Sequence, residues 1–213
     1  MGFKVLGISA SPRRDGNSDL LLQRALAGAR AVEGEVEHLR LCDYRIEGCT
    51  ECNACATTGD CRIRDDYPQI LAKMLAADRI IFATPVFFLT VSAQAKLLID
   101  RGQCLWMRKN VLGLPLFEPQ RDRRGMIVAV GGSRGMRQFH CVQRPVQSYF
   151  KYLEVNCVYR LCVNQVDEKG AIQDYPEALE QAFRLGRALA DPLTPAPERP
   201  VDVRLFTGAQ RKG

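Results

Sequence analysis

Apolar positions along this chain follow two habits, short unbroken runs and longer stretches in which they return every three or four residues. Residues 3 to 9, FKVLGIS, form an unbroken run that stops at a Ser/Pro/Gly/Asn cluster, the pattern of a strand buried on both faces and its following loop. Ser18 is then placed to cap a helix on which Leu20, Leu21, Ala25, Leu26 and Ala29 fall at helical spacing. A second strand is expected near 35 to 41, with Val36 and Leu39 among its apolar positions. Three more follow, RIIFAT at 79 to 84, MIVAVGG at 126 to 132 and an apolar stretch around 156 to 163. Between them lie helical patterns. Asp66 caps one carrying Ile70, Leu71, Met74 and Leu75. Another starts near Val91, carries Ala95, Leu98 and Ile99, and ends at the polar break of Lys109 and Asn110. The last two cover 138 to 153 and 176 to 190.

Strands that alternate with helices imply an α/β fold, because parallel crossovers need helices and pack them on both faces of the sheet. The expectation is a doubly wound, five-stranded parallel sheet over residues 1 to 190. Two segments fall outside the alternation. Residues 42 to 64 have no period, contain Gly48 and Gly59, and read as a long, functional loop after the second strand. Residues 191 to 213 hold four prolines and no period, and read as a tail or arm whose VRLF segment is able to dock elsewhere.

A chain of 213 residues fits one domain with a full core of its own, and 46% apolar with 25% charged residues is ordinary globular usage. The core therefore supplies stability and leaves the nine cysteines free for chemistry. The N-terminal apolar stretch is too short for a signal peptide, and nothing approaches the roughly 18 apolar residues of a membrane span. A cytoplasmic protein is expected. In a reducing compartment clustered cysteines point to metal or catalysis rather than disulfides. The net charge of +6 is uneven, with Arg121, Arg123, Arg124, Arg134, Arg137 and Arg144 close together. No aromatic-rich basic stripe or recognition helix accompanies them, which argues against a nucleic-acid partner. A basic rim also suits an acidic redox protein or a cofactor phosphate, and scattered surface charge is the plainest reading.

In an open parallel sheet, ligands bind beyond the carboxyl ends of the strands. The loop there, from Ser9 through Ser11, Pro12, Arg13 and Gly16 to Asn17 and Ser18, offers hydroxyls, an amide, free N–H groups and a helix N-terminus, which together hold a phosphate. A plain helix-capping turn is the alternative. The loop is neither a dinucleotide fingerprint nor a P-loop, so a mononucleotide is favoured over NAD as the tightly held group. Thr84, Pro85, Val86, Phe87 and Phe88 put a rigid turn and two aromatics near the same edge, suited to a flavin ring or to core packing.

Cys49, Cys52 and Cys55 stand at even spacing, and Cys61 follows after five residues. Four thiolates bind zinc or an iron–sulfur cluster. Zinc sites usually pair one C-x-x-C with a distant second pair or with histidines, whereas a compact run lets the backbone wrap a cubane. The spacing thus favours a cluster, with structural zinc and unligated redox thiols as alternatives. Cys42, Cys104, Cys141, Cys157 and Cys162 lie outside the motif and read as core hydrophobes.

The S-x-S-P-R-x-x-G-N-S loop, T-P-V-F-F, the K-L-L-I-D-R segment at 96 to 101 and the Gly131-Gly132 pair together resemble the NADPH-dependent FMN reductase family, over residues 3 to 190. The cysteine loop is similar to that of its iron–sulfur flavoprotein branch. The resemblance implies a flavodoxin-like sheet of order 2-1-3-4-5. It assigns the FMN phosphate to Ser9, Ser11, Arg13, Gly16, Asn17 and Ser18, and the flavin ring to Pro85, Val86, Phe87, Phe88, Gly131 and Gly132. It assigns a [4Fe-4S] cluster to Cys49, Cys52, Cys55 and Cys61. It further implies a homodimer or homotetramer, with the K-x-x-I-D-R helix at a dimer contact, and NAD(P)H or a ferredoxin-like protein as electron donor. Two other functions stay open, an NAD(P)H-dependent flavin, quinone or nitro-compound reductase without a cluster, and a zinc-stabilised, non-catalytic module.

Overall fold

A computed structural model describes residues 2 to 206. In chain order the elements are β1 (Lys4–Ser9), α1 (Asn17–Arg30), β2 (Glu35–Arg40), the single-turn α2 (Cys55–Thr58), α3 (Tyr67–Ala76), β3 (Arg79–Pro85), α4 (Ala93–Arg101), α5 (Gln103–Asn110), β4 (Arg124–Val130), α6 (His140–Tyr152), β5 (Asn156–Asn164), α7 (Pro176–Ala190) and β6 (Val201–Phe206). All strands are parallel, in the order β2-β1-β3-β4-β5-β6. The α/β class and the order of the first five strands agree with the sequence reading. The strand count does not. Val201 to Phe206, expected within a Pro-rich tail, pairs along β5 from Tyr159 to Asn164 as a sixth strand. Residues 207 to 213 of that expected tail lie outside the described residues.

Two apolar layers hold the sheet. On one face α1 and α7 cover Val5, Ile81, Met126, Val128 and Leu161, and on the other α3, α4 and α6 cover Leu6, Ile80, Phe82, Ile127 and Ala129. Adjacent residues of one strand serve opposite layers, as the pleat requires. The α1–α7 contact depends on two glycines. A Cβ at Gly28 would stand 2.0 Å from the Phe183 carbonyl oxygen, and one at Gly186 2.0 Å from that of Ala25, so these backbones meet at a distance that no side chain fits. Among the described residues no helix is long and apolar enough to cross a membrane.

Parts of the basic cluster prove structural. Arg123 is buried, and its guanidinium donates to the carbonyls of Ala77 (2.9 Å), Leu153 (2.5 Å) and Met74, which ties α3 and α6 to the start of β4. Arg121 pairs with Asp78 and Arg124 with Asp122. Sequence proximity had grouped these arginines as surface charge, yet the fold spends them on separate internal tasks.

Candidate functional site

The strand order reverses between β1 and β3, and the register brings Ser9 level with Ala83, and Pro85 level with Val130. Three loops therefore converge at one edge, which is where an open α/β sheet forms its ligand crevice. A cleft there is lined by Ser11, Arg13, Gly16, Asn17 and Ser18 from the first loop, Pro85, Val86 and Phe87 from the third, and Gly132 from the fourth. Residues singled out from three separate stretches of sequence thus surround one opening.

The first loop is built from its own side chains. Ser11 Oγ donates to the Arg13 carbonyl (3.0 Å) and accepts the Arg13 N–H (3.2 Å). Asp15 turns left-handed at φ 54°, and its N–H is accepted by Asp19 Oδ2 at 3.2 Å. Asp19 is buried in the first turn of α1, with Oδ1 3.0 Å from His38 Nε2. Burial would raise its pKa, but the bond to His38 and the nearby Ser9 hydroxyl outweigh that and hold the carboxyl at about 2. Helix α1 begins at Asn17 with Gly16 at the cap position, so Ser18 sits inside the helix and is not the cap that its sequence position suggested. Its hydroxyl is buried in the cleft wall and has no hydrogen-bond partner among the described residues. An orphaned hydroxyl beside the N–H groups of a helix N-terminus could hold a phosphate, since such burial costs free energy unless a ligand satisfies it.

Three expected residues stand differently. The side-chain amide of Asn17 is engaged by the protein itself. Its Nδ2 donates to the Glu168 carbonyl (2.9 Å) and its Oδ1 accepts the Ile172 N–H (3.2 Å), which leaves the amide as a clamp on the loop after β5. Ser9 is fully buried behind the loop against Asp19 and does not line the cleft. Gly131 is buried under Gln138, whose Oε1 would lie 2.3 Å from an added Cβ. The loop after β5 supplies Val166, Asp167 and Lys169, which the sequence reading missed. Their signal was present, because VDEKG follows an apolar strand at the same edge.

The third loop is fixed from below. Thr84 Oγ1 accepts the Ser92 N–H, and Ser92 Oγ donates to the Ala10 carbonyl at 2.6 Å, linking the ends of β1 and β3. Above this base Phe87 and Thr90 exchange two backbone bonds of 3.0 Å around Phe88 and Leu89, both left-handed at φ 47° and 63°. That is a tight reverse turn of the type that favours Asn or Gly, occupied here by two bulky apolar residues. Phe88 is fully exposed at its tip and does not line the cleft.

The four cysteines line a second, narrow cleft together with Arg101 and Cys104. Glu51 and Asn53 turn left-handed between them, and Gly59 ends the single turn of α2, so the chain curls back on itself. Burial pushes the Cys55 thiol up, and charge on Cys61, Cys49 and Cys52 pushes it the same way, which puts the four sulfurs within electrostatic reach of one another. The Cys52 thiol is held down, chiefly by the Ala54 N–H. Among the described residues no group of three or more His, Cys, Asp or Glu side chains is arranged to hold a metal ion. The chemistry of the donors, four thiols lining one narrow cleft, suits a soft metal or an iron–sulfur cluster. The start of the cysteine loop is tied to the first loop by Cys42 Sγ, which donates to the Ser11 carbonyl at 3.4 Å.

A larger cavity, about 870 Å³, lies elsewhere, around Lys109, Phe117, Arg121, Lys151 and Glu154 at the opposite end of β4. Its walls include Arg121 and Arg123, whose guanidinium groups are already engaged by Asp78 and by backbone carbonyls.

Comparison with known proteins sharpens the picture. Residues 3 to 165 match the family model for NADPH-dependent FMN reductase. An iron–sulfur flavoprotein of Methanocaldococcus jannaschii is 43% identical over 149 residues, covering 70% of this chain and 72% of that protein. Another, from Methanosarcina thermophila, is 33% identical over 154 residues, 72% of this chain and 74% of its own. In structure, a flavone reductase superposes with a TM-score of 0.65 at 23% identity, over 93% of this chain and 66% of that one. An NAD(P)H:quinone oxidoreductase from Methanothermobacter marburgensis does so with 0.63 at 17% identity, over 89% of this chain and 96% of that one. The two structural likenesses establish the fold.

Proposed function

This chain belongs to the NADPH-dependent FMN reductase family, in its iron–sulfur flavoprotein branch, and from that premise we propose that it transfers electrons between a ferredoxin-like or NAD(P)H donor and an acceptor through FMN and a [4Fe-4S] cluster. The protein is an FMN-dependent oxidoreductase. Bound FMN exchanges electrons singly or in pairs and a cubane exchanges them singly, so together they adapt one kind of partner to the other.

What the protein contributes follows from its own residues. The orphaned Ser18 hydroxyl, the N–H groups opening α1 and the Arg13 and Lys169 side chains at the cleft meet the phosphate. Pro85, Val86 and Phe87 flank the flavin ring and limit water on one side, with Gly132 leaving room opposite. Cys49, Cys52, Cys55 and Cys61 supply the cluster thiolates, and since Cys49 and Cys52 are exposed, that end of the loop is open to a protein donor. The exposed Phe88 and Leu89 beside the cleft suit burial in a homodimer or homotetramer. Nine unpaired thiols suit the cytoplasm.

The observation that carries the proposal is the convergence of all four motif cysteines on one cleft. Mixing the anaerobically purified protein with reduced ferredoxin, and separately with NADPH, tests it through flavin absorbance. Bleaching by at least one donor is expected, and no bleaching by either contradicts it.

One observation favours a second reading. The cysteine loop is held shut at its base by bonds from Asp65 and Asp66 that involve no cysteine, so it is able to brace the site without a cluster. In that case the protein is an NAD(P)H-dependent flavin, quinone or nitro-compound reductase. Turnover unchanged in Cys52→Ser and Cys55→Ser would support bracing, and loss of ferredoxin-linked turnover would support the cluster.

A further inference from the structure

Arg101 ends α4 with its side chain buried, an expensive place for a charge unless the surroundings use it fully. Its guanidinium forms a two-pronged ion pair with the buried carboxylate of Asp65, with Nη2 to Oδ1 at 3.2 Å and Nη1 to Oδ2. Nη1 also donates to the Glu47 carbonyl at 3.1 Å, and Nη2 reaches the Ile63 carbonyl at 3.5 Å. Glu47 precedes Cys49 and Ile63 follows Cys61, so one side chain ties both ends of the cysteine loop to a helix of the core. Asp65 adds to the tie by accepting the N–H groups of Glu47 (2.8 Å) and Tyr67 (3.0 Å).

One donor is left over. Arg101 Nε is buried and has no hydrogen-bond partner among the described residues, and Arg101 lines the same cleft as the four cysteines. We propose that Arg101 is a positioning residue for the cluster, which fixes both ends of the cysteine loop and presents its free Nε–H and its charge to the cleft that the four cysteines line. This rests on the cluster reading above. A cation and an N–H donor facing the cluster favour its more negative, reduced state, and so raise its reduction potential. The K-x-x-I-D-R segment, assigned by resemblance to a dimer contact, thereby gains a role inside the subunit.

Arg101→Lys and Arg101→Gln separate the two functions in full-length, anaerobically reconstituted protein. FMN content first shows that each variant is folded. Both variants should release iron to a chelator on the order of tenfold faster than wild type or more, because neither side chain spans the two loop ends. In an EPR-monitored redox titration, Arg101→Gln should have a more negative cluster midpoint than wild type, with Arg101→Lys between them. A residue that only braces the fold would leave the midpoint unmoved. If Arg101→Gln fails to bind FMN, Arg101→Lys decides through iron release. Wild-type midpoint and release rate in the folded variants overturn the role of Arg101 alone. Wild-type protein that binds FMN but takes up no iron overturns the cluster reading beneath it.

Discussion

Replacing Ser18 by alanine should weaken FMN binding while leaving the empty protein as stable as before, or more so. The two effects have opposite signs because the hydroxyl is buried without a partner in the cleft wall. A buried, unsatisfied hydroxyl costs about 1–3 kcal/mol, and alanine removes that cost while opening only a small void. Once a phosphate accepts from the hydroxyl, the bond is assisted by charge and contributes about 1.5–3 kcal/mol, which Ser18→Ala forfeits. At about 1.4 kcal/mol per factor of ten, FMN affinity should fall roughly 10- to 100-fold. Flavin fluorescence quenching on titration of the apoprotein gives the affinity, and urea denaturation of the same apoprotein gives the stability. An affinity within twofold of wild type would show that Ser18 does not meet the phosphate. A loss of more than about 1 kcal/mol in the apoprotein would show that the hydroxyl has a structural partner instead.

Three further outcomes follow from particular contacts. Asp19 has a native pKa of about 2 against an ordinary value of 3.8, so its contribution, present above about pH 4, is lost as pH falls toward 2. Urea denaturation across that range should show Asp19→Asn less stable than wild type by about 1–2 kcal/mol near pH 6, with the gap closing by pH 2. Gly186→Ala forces a Cβ against the Ala25 carbonyl and should cost about 1–3 kcal/mol, read as a lower thermal midpoint. Leu89→Gly relieves a left-handed residue at an exposed turn and should stabilise the protein by about 0.5–1 kcal/mol in the same assay, whereas Leu89→Ala should not.

How much of this was legible from sequence depends on how local its cause is. β1 and β4 were plain because each is an unbroken apolar run between helices, and α7 was placed from Pro176 to Ala190 by helical periodicity alone. β6 was hidden because its outward positions are polar and four prolines precede it; its reason to be a strand is the edge of β5, forty residues earlier. The same distance effect divides the site. The phosphate loop and the cysteine spacing are local patterns and were readable. The clamp made by the Asn17 side chain was not legible because its partners, Glu168 and Ile172, lie far along the chain. Arg101, placed by resemblance at a dimer contact, is buried because Asp65, from the other side of β3 in sequence, supplies its counter-charge. The Asp167 and Lys169 side of the cleft carries no motif, although the loop after every parallel strand opens at the same edge.

The proposal of two cofactors, and not FMN alone, rests on the cleft that the four cysteines line. It meets its most direct test in the anaerobically purified, full-length protein, by an absorption spectrum combined with quantification of iron, acid-labile sulfide, zinc and FMN. The account predicts about four iron and four sulfide per FMN, with a broad charge-transfer absorption under the flavin bands that bleaches on reduction. Stoichiometric FMN with zinc, or with neither metal nor sulfide, would contradict it.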